Sequence, residues 1–180
     1  MTGHRDSGRS VRGFTLVEMM VALAVFSITI GGIWGLLATG ASSTRLTDNF
    51  LQVQENARYA MERLVEEGRW ASGISSATGG TTPSVTLSIP ANNPASASAY
   101  TVTYALTSSQ TITRTVNGGT ASQLAADITG LTFTYYDNAV PADVLTVSNA
   151  ANAWRFTVSV TATAGQQTRT FTTDVFLRNK

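Results

Sequence analysis

The chain contains no cysteine, and its only histidine is His4. The first absence excludes a disulfide framework, a thiolate metal site and a cysteine nucleophile together. The second leaves the rest of the chain without an imidazole, so no Ser/His/Asp arrangement can form there. Charge is sparse, at 13% of residues, and nearly balanced at +1. It is also unevenly placed. Arg5, Arg9 and Arg12 against Asp6 give the first thirteen residues 3 − 1 = +2, and the remainder holds 12 − 3 = 9 basic and 11 − 1 = 10 acidic groups, a net of −1. A remainder so close to neutral has no electrostatic footprint for a phosphate backbone, which argues against nucleic acid as a partner. Gly79-Gly80 and Gly118-Gly119 are isolated turn pairs without the lysine of a P-loop. The pattern is that of a non-enzyme, with no cofactor implied.

What is present is an anchor and room for one ordinary domain. From Phe14 to Leu37 the residues are apolar or small except Thr15, Glu18, Ser27 and Thr29. At ~1.5 Å per residue such a run crosses ~30 Å of hydrocarbon. The arginines precede it, so the positive-inside bias puts the N-terminus in the cytoplasm and the bulk of the chain outside. Two plainer readings compete: a signal peptide removed near Ala38-Thr39-Gly40, and an uncleaved signal anchor. The apolar core exceeds the ~7–15 residues a signal peptide uses, and it contains an acid. An unpaired carboxylate at mid-bilayer costs on the order of 3 kcal/mol. Glu18 is therefore a functional-site candidate, with snorkelling to the membrane interface as the simpler account.

The junction Arg12-Gly13-Phe14-Thr15-Leu16-Val17-Glu18 resembles that of the type IV prepilins. Their leader ends in Gly, their mature first residue is usually Phe, and their fifth is Glu. The resemblance covers residues 8–37. It implies that a prepilin peptidase cuts between Gly13 and Phe14 and methylates the new amine of Phe14. It also implies that Glu18 pairs with the Phe14 amine of an adjacent subunit entering a filament. The other implied partners are further pilins, an assembly platform in the inner membrane, and lipid. Gly31, Gly32 and Gly35 interrupt the apolar run, and each costs ~1 kcal/mol against Ala in a helix interior. By resemblance this stretch can unwind inside a fibre; close helix packing in lipid explains the same glycines.

The helical period continues past the membrane. After an expected break at Gly40-Ala41-Ser42-Ser43, apolar residues recur at Leu46, Phe50, Val53, Ala57, Met61 and Leu64. Steps of four and three define one face of an amphipathic helix. Glu55/Tyr59 and Arg58/Glu62 stand at helical neighbour spacing, and Gly68 with Ser72-Gly73 marks the expected end. If the two parts join, the helix runs from about Phe14 to Ala71.

From Ser84 the period becomes two. Ser84 to Ile89, Tyr100 to Leu106, Ile112 to Val116 and Ile128 to Tyr136 read as strands. Phe156-Val158-Val160 and Phe171-Thr173-Val175 read as a hairpin across Ala164-Gly165-Gln166-Gln167. Thr-rich partner faces suit a half-solvated antiparallel sheet. The expected fold is α+β, a long N-terminal transmembrane and amphipathic helix packed on an antiparallel sheet, which is pilin architecture by resemblance. Its expected parts are a cleaved leader (1–13), a membrane half of the helix (14–37), an amphipathic half (38–73) and a β-rich domain (74–180).

Three softer phrases, Ala57 to Leu64, Leu131 to Asp137 and Val175 to Asn179, look like minor pilins of the PilW kind, related to the J pseudopilins of type II secretion. The implied function is a minor pilin that helps initiate or cap a type IV pilus. A type II secretion pseudopilin and a signal-anchored binding domain that never polymerises remain alternatives. Many pilins close a C-terminal loop with a disulfide, and this chain cannot. Asp137, Asn138 and Asp143 offer three oxygen ligands, as in some calcium-binding pseudopilins; turn formation is the commoner reason for such residues. Trp70, Tyr100, Tyr136 and Trp154 are candidates for an adhesive patch, or for core and rim.

Overall fold

The computed structural model describes residues 13–139 and 141–178, with only the backbone for 41–47. The described chain divides into two compact units between Arg45 and Leu46. One helix, α1 (Leu16–Trp70), contributes to both.

In the first unit, Leu16–Gly40 forms 25 residues of helix long and apolar enough to cross a membrane. Its polar residues are satisfied locally. Ser27 donates to Leu23 O at 2.7 Å, Thr29 to Val25 O at 2.8 Å and Thr39 to Gly35 O at 3.0 Å. Such back-bonding matters because hydrocarbon provides no partner for a bare hydroxyl. The expected break at Gly40–Ser43 does not occur: the backbone stays helical there. Glycine weakens a helix by about 1 kcal/mol but does not remove its hydrogen bonds.

In the second unit, α1 buries Val53, Ala57, Ala60, Met61 and Leu64 and half-buries Phe50. Strands β1 (Gly73–Thr78), β2 (Ser84–Ile89), β3 (Tyr100–Leu106), β4 (Ile112–Val116) and β5 (Ser122–Ala125) form one antiparallel sheet in chain order. Strands β6 (Ile128–Tyr136), β7 (Val144–Leu145), β8 (Arg155–Ala164) and β9 (Gln167–Phe176) form another, in the order β7-β6-β8-β9. A 3-10 turn covers Val147–Asn152. Two sheets therefore replace the single one expected. The chain changes sheets at Asp127, which adopts φ 59°, a conformation Asp tolerates better than most residues. Two bonds hold that corner: Ile128 N–H to Gln110 O at 2.9 Å and Thr163 N–H to Asp127 O at 3.1 Å.

Strict alternation fills the core from both sheets. Val85, Leu87, Val102 and Tyr104 point inward from one, and Leu131, Tyr135, Phe156, Val158 and Val175 from the other. Phe133, Tyr135 and Phe156 form an aromatic cluster with centroids 6.3–6.4 Å apart. On the outer face hydroxyls pair across strands: Ser159 with Thr172, Thr161 with Thr170 and Thr163 with Thr168, at 2.8–3.1 Å. The strands absent from the sequence reading are β1, β5 and β7. All lie at or near sheet edges and bury little, as in β1 where only Ile74 is buried, so no apolar alternation announces them.

Gly68 does not end the helix. A Cβ there would lie 2.5 Å from Val175 Cγ1 and 3.3 Å from the Phe156 ring, so glycine is what lets α1 approach β8 and β9 this closely. The helix ends at Trp70, and Ser72 N–H then joins Ser88 O of β2 at 2.8 Å.

Candidate functional site: the N-terminal turn of α1

Residues 13–15 precede the helix as irregular backbone. Gly13 is exposed, with nothing within 4 Å of where a Cβ would be, and the Phe14 side chain is 83% exposed. The peptide bond joining them thus lies open, just outside the first turn.

Thr15 and Glu18 form a reciprocal pair. Thr15 N–H donates to Glu18 Oε2 at 2.9 Å, and Glu18 N–H donates to Thr15 Oγ1 at 3.3 Å. The Thr15 hydroxyl also donates to Oε2, at 2.9 Å. This is a capping box, Thr-x-x-Glu, in which two otherwise orphaned amide donors are satisfied by side chains. The first regular helical bond, Met19 N–H to Thr15 O at 3.2 Å, follows directly. An acid in the first turn also complements the positive end of the helix dipole. Both side-chain bonds fall on Oε2, and Oε1 accepts none from the described residues. The carboxylate is thereby oriented by its own chain while one oxygen stays available to a donor from elsewhere.

Gly31, Gly32 and Gly35 lie within α1, and an added Cβ on any of them would meet no atom within 4 Å. Among the described residues nothing lies within contact of these three positions. Asp137 and Asp143 close a turn: Asp137 Oδ1 accepts the N–H of Ala139 at 3.0 Å and of Asp143 at 2.9 Å. Among the described residues no group of three or more His, Cys, Asp or Glu could hold a metal ion. The four aromatics do not share one surface role. Trp70 and Tyr100 pack partly buried against the core, the Arg155 guanidinium covers the Tyr136 ring at 3.9 Å, and Trp154 is exposed.

The sequence reading missed a second polar cluster. Glu67 is fully buried. It accepts two bonds from Arg114 of β4, Nη2 at 2.5 Å and Nε at 3.1 Å, and one from the Tyr104 hydroxyl of β3 at 2.6 Å. The bidentate fork satisfies both carboxylate oxygens and pins α1 to the five-stranded sheet. The Glu67 carboxylate holds the Arg114 guanidinium above its ordinary value, and burial, then the Glu67 bond, pushes the Tyr104 phenol up. The only signal in the sequence is positional: 57, 60, 64 and 67 lie on one helical face, and Arg114 shares a face of β4 with the buried Ile112.

The profile of the prokaryotic N-terminal methylation motif matches residues 8–34, which contain the open Gly13–Phe14 bond and the Thr15/Glu18 box. No curated protein and no solved structure gives a match to this chain. The motif belongs to a structural rather than catalytic family, and it supports a pilin or pseudopilin-type subunit that is anchored by its apolar helix, processed by prepilin peptidase and associated with other pilins.

Proposed function

We propose that the chain is a minor pilin that helps initiate or cap assembly of a type IV pilus. In this reading a prepilin peptidase cuts between Gly13 and Phe14 and methylates the Phe14 amine. The chain then sits in the inner membrane with its N-terminus cytoplasmic and its β-rich domain extracytoplasmic, and passes from an assembly platform into a fibre with other pilins. Residues 14–37 serve as the membrane half of the helix and 38–73 as its amphipathic half, with bending at Gly31, Gly32 and Gly35.

The observation that carries the reading is the oriented Glu18 carboxylate beside an exposed Gly13–Phe14 bond. The capping box survives cleavage, because Thr15 and Glu18 both lie downstream of the cut. Cleavage creates an ammonium on Phe14 of each subunit, and Glu18 Oε1 presents an acceptor for the ammonium of a neighbour. In a low-dielectric setting that pair is strongly favoured over two unpaired charges.

N-terminal sequencing of the membrane-extracted protein tests this. The expected end is methylated Phe14, and Gly13→Glu should retain the leader. An intact Met1 in a functioning protein would refute the reading.

A further inference from the structure

β9 is the outer strand of its sheet and, among the described residues, pairs only with β8. Leu177 donates its N–H to Trp154 O across that ladder at 3.0 Å. Antiparallel pairs alternate between bonded and unbonded, so Phe171, Thr173 and Val175 direct their backbone groups to β8. Thr170, Thr172 and Asp174 direct theirs to the open edge. Proteins usually blunt such edges with short strands, prolines or bulges. β9 has ten residues, no proline and an unbroken register with β8.

Beside this edge, between α1 and β9, runs an open groove of about 650 Å³ with an apolar floor of Met61, Val65, Trp70 and Phe171. Its acids are already engaged: Glu62 pairs with Arg58 and Glu66 with Arg63. Its remaining cations are not. Arg69 and Arg178 line both this groove and the adjoining hollow beside Pro90–Pro94, and neither has a carboxylate within 4.0 Å among the described residues.

We infer that β9 accepts an extended acidic segment of another protein subunit as an additional strand. Its backbone pairs with the open edge, its inward apolar side chains enter the groove, and its carboxylate sits on Arg69 and Arg178. Main-chain bonds supply affinity in strand addition, and the pockets for alternate side chains supply specificity. Guanidinium–carboxylate pairing makes the acid the discriminating feature. The site requires no leader processing, so its failure would leave the pilin reading untouched, and the converse holds.

The test uses the detergent-solubilised full chain and labelled capped peptides of about ten residues, a typical long strand. The peptides alternate Val and Thr, with one inward Val replaced by Asp or by Lys. Fluorescence anisotropy should show the Asp peptide binding at least about tenfold more tightly than the Lys peptide, a difference of ~1.4 kcal/mol. Arg178→Glu, at an exposed position, should reverse that preference. Thr172→Pro removes an amide that faces the open edge, not β8, so it should abolish binding while circular dichroism stays unchanged. Equal binding of the two peptides, unchanged preference in Arg178→Glu, or parental binding by a folded Thr172→Pro overturns the inference.

Discussion

Replacing Arg114 with Met tests how strongly the buried carboxylate of Glu67 depends on its partner. The Glu67 side chain has 0% exposure, and Arg114, 19% exposed, provides two of its three short hydrogen bonds. Removing one member of a buried ion pair costs ~3–5 kcal/mol because the other charge is left uncompensated in a poor solvent. Two features move the expectation to the low end. The Tyr104 hydroxyl remains, and Arg63 lies 3.7 Å from Glu67 with 35% exposure. We expect Arg114→Met to lose about 3 kcal/mol, a large part of the ~5–15 kcal/mol that holds a typical domain together. Urea unfolding of the solubilised full chain, followed by tryptophan fluorescence, should show a lower midpoint at constant slope. The combined Glu67→Met, Arg114→Met, Tyr104→Phe variant should fall within ~1–2 kcal/mol of the parent, since an apolar replacement of similar shape removes the desolvation penalty with the charges. A loss below about 1 kcal/mol in Arg114→Met, or additivity of the single changes, would show that the three residues do not act as one unit.

Burial holds the phenols of Tyr104 and Tyr135 above their ordinary value, so both favour the folded state while neutral. That contribution is complete below about pH 10 and is lost as pH rises further, at up to ~1.4 kcal/mol per pH unit for each phenol. Ultraviolet titration should show their phenolates appearing only with unfolding; ionisation of all five tyrosines in an intact fold would contradict this. Gly68→Ala should destabilise by about 1–3 kcal/mol through overpacking against Val175 and Phe156, despite a helix-propensity gain of ~1 kcal/mol, and a thermal melt shows which effect wins. Glu18→Gln keeps an acceptor for Thr15 and removes the charge, whereas Glu18→Ala also loses the cap, worth ~0.5–2 kcal/mol. Both should be cleaved and inserted, and both should be depleted from sheared fibres; parental incorporation of Glu18→Gln would reduce Glu18 to a helix cap.

The sequence by itself determined whatever depends on neighbours a few positions apart. The apolar length of 14–37, the Gly13-Phe14 junction with Glu18 five residues past that glycine, the amphipathic stripe through Val53, Ala57 and Leu64, and the period-two strands with apolar inward faces are all local patterns. Helix and strand formation answer to those spacings directly. Tertiary structure decided what depends on residues brought together from far along the chain. The division into two sheets turns on one backbone conformation at Asp127. Glu67 reads as one more charge on a charged helix until Arg114, 47 positions later, arrives against it. Gly68 reads as a helix stop until Val175 occupies the space its side chain would have taken. Edge strands such as β1 bury too little to leave an apolar signature, because their pairing energy lies in backbone bonds that any sequence can make.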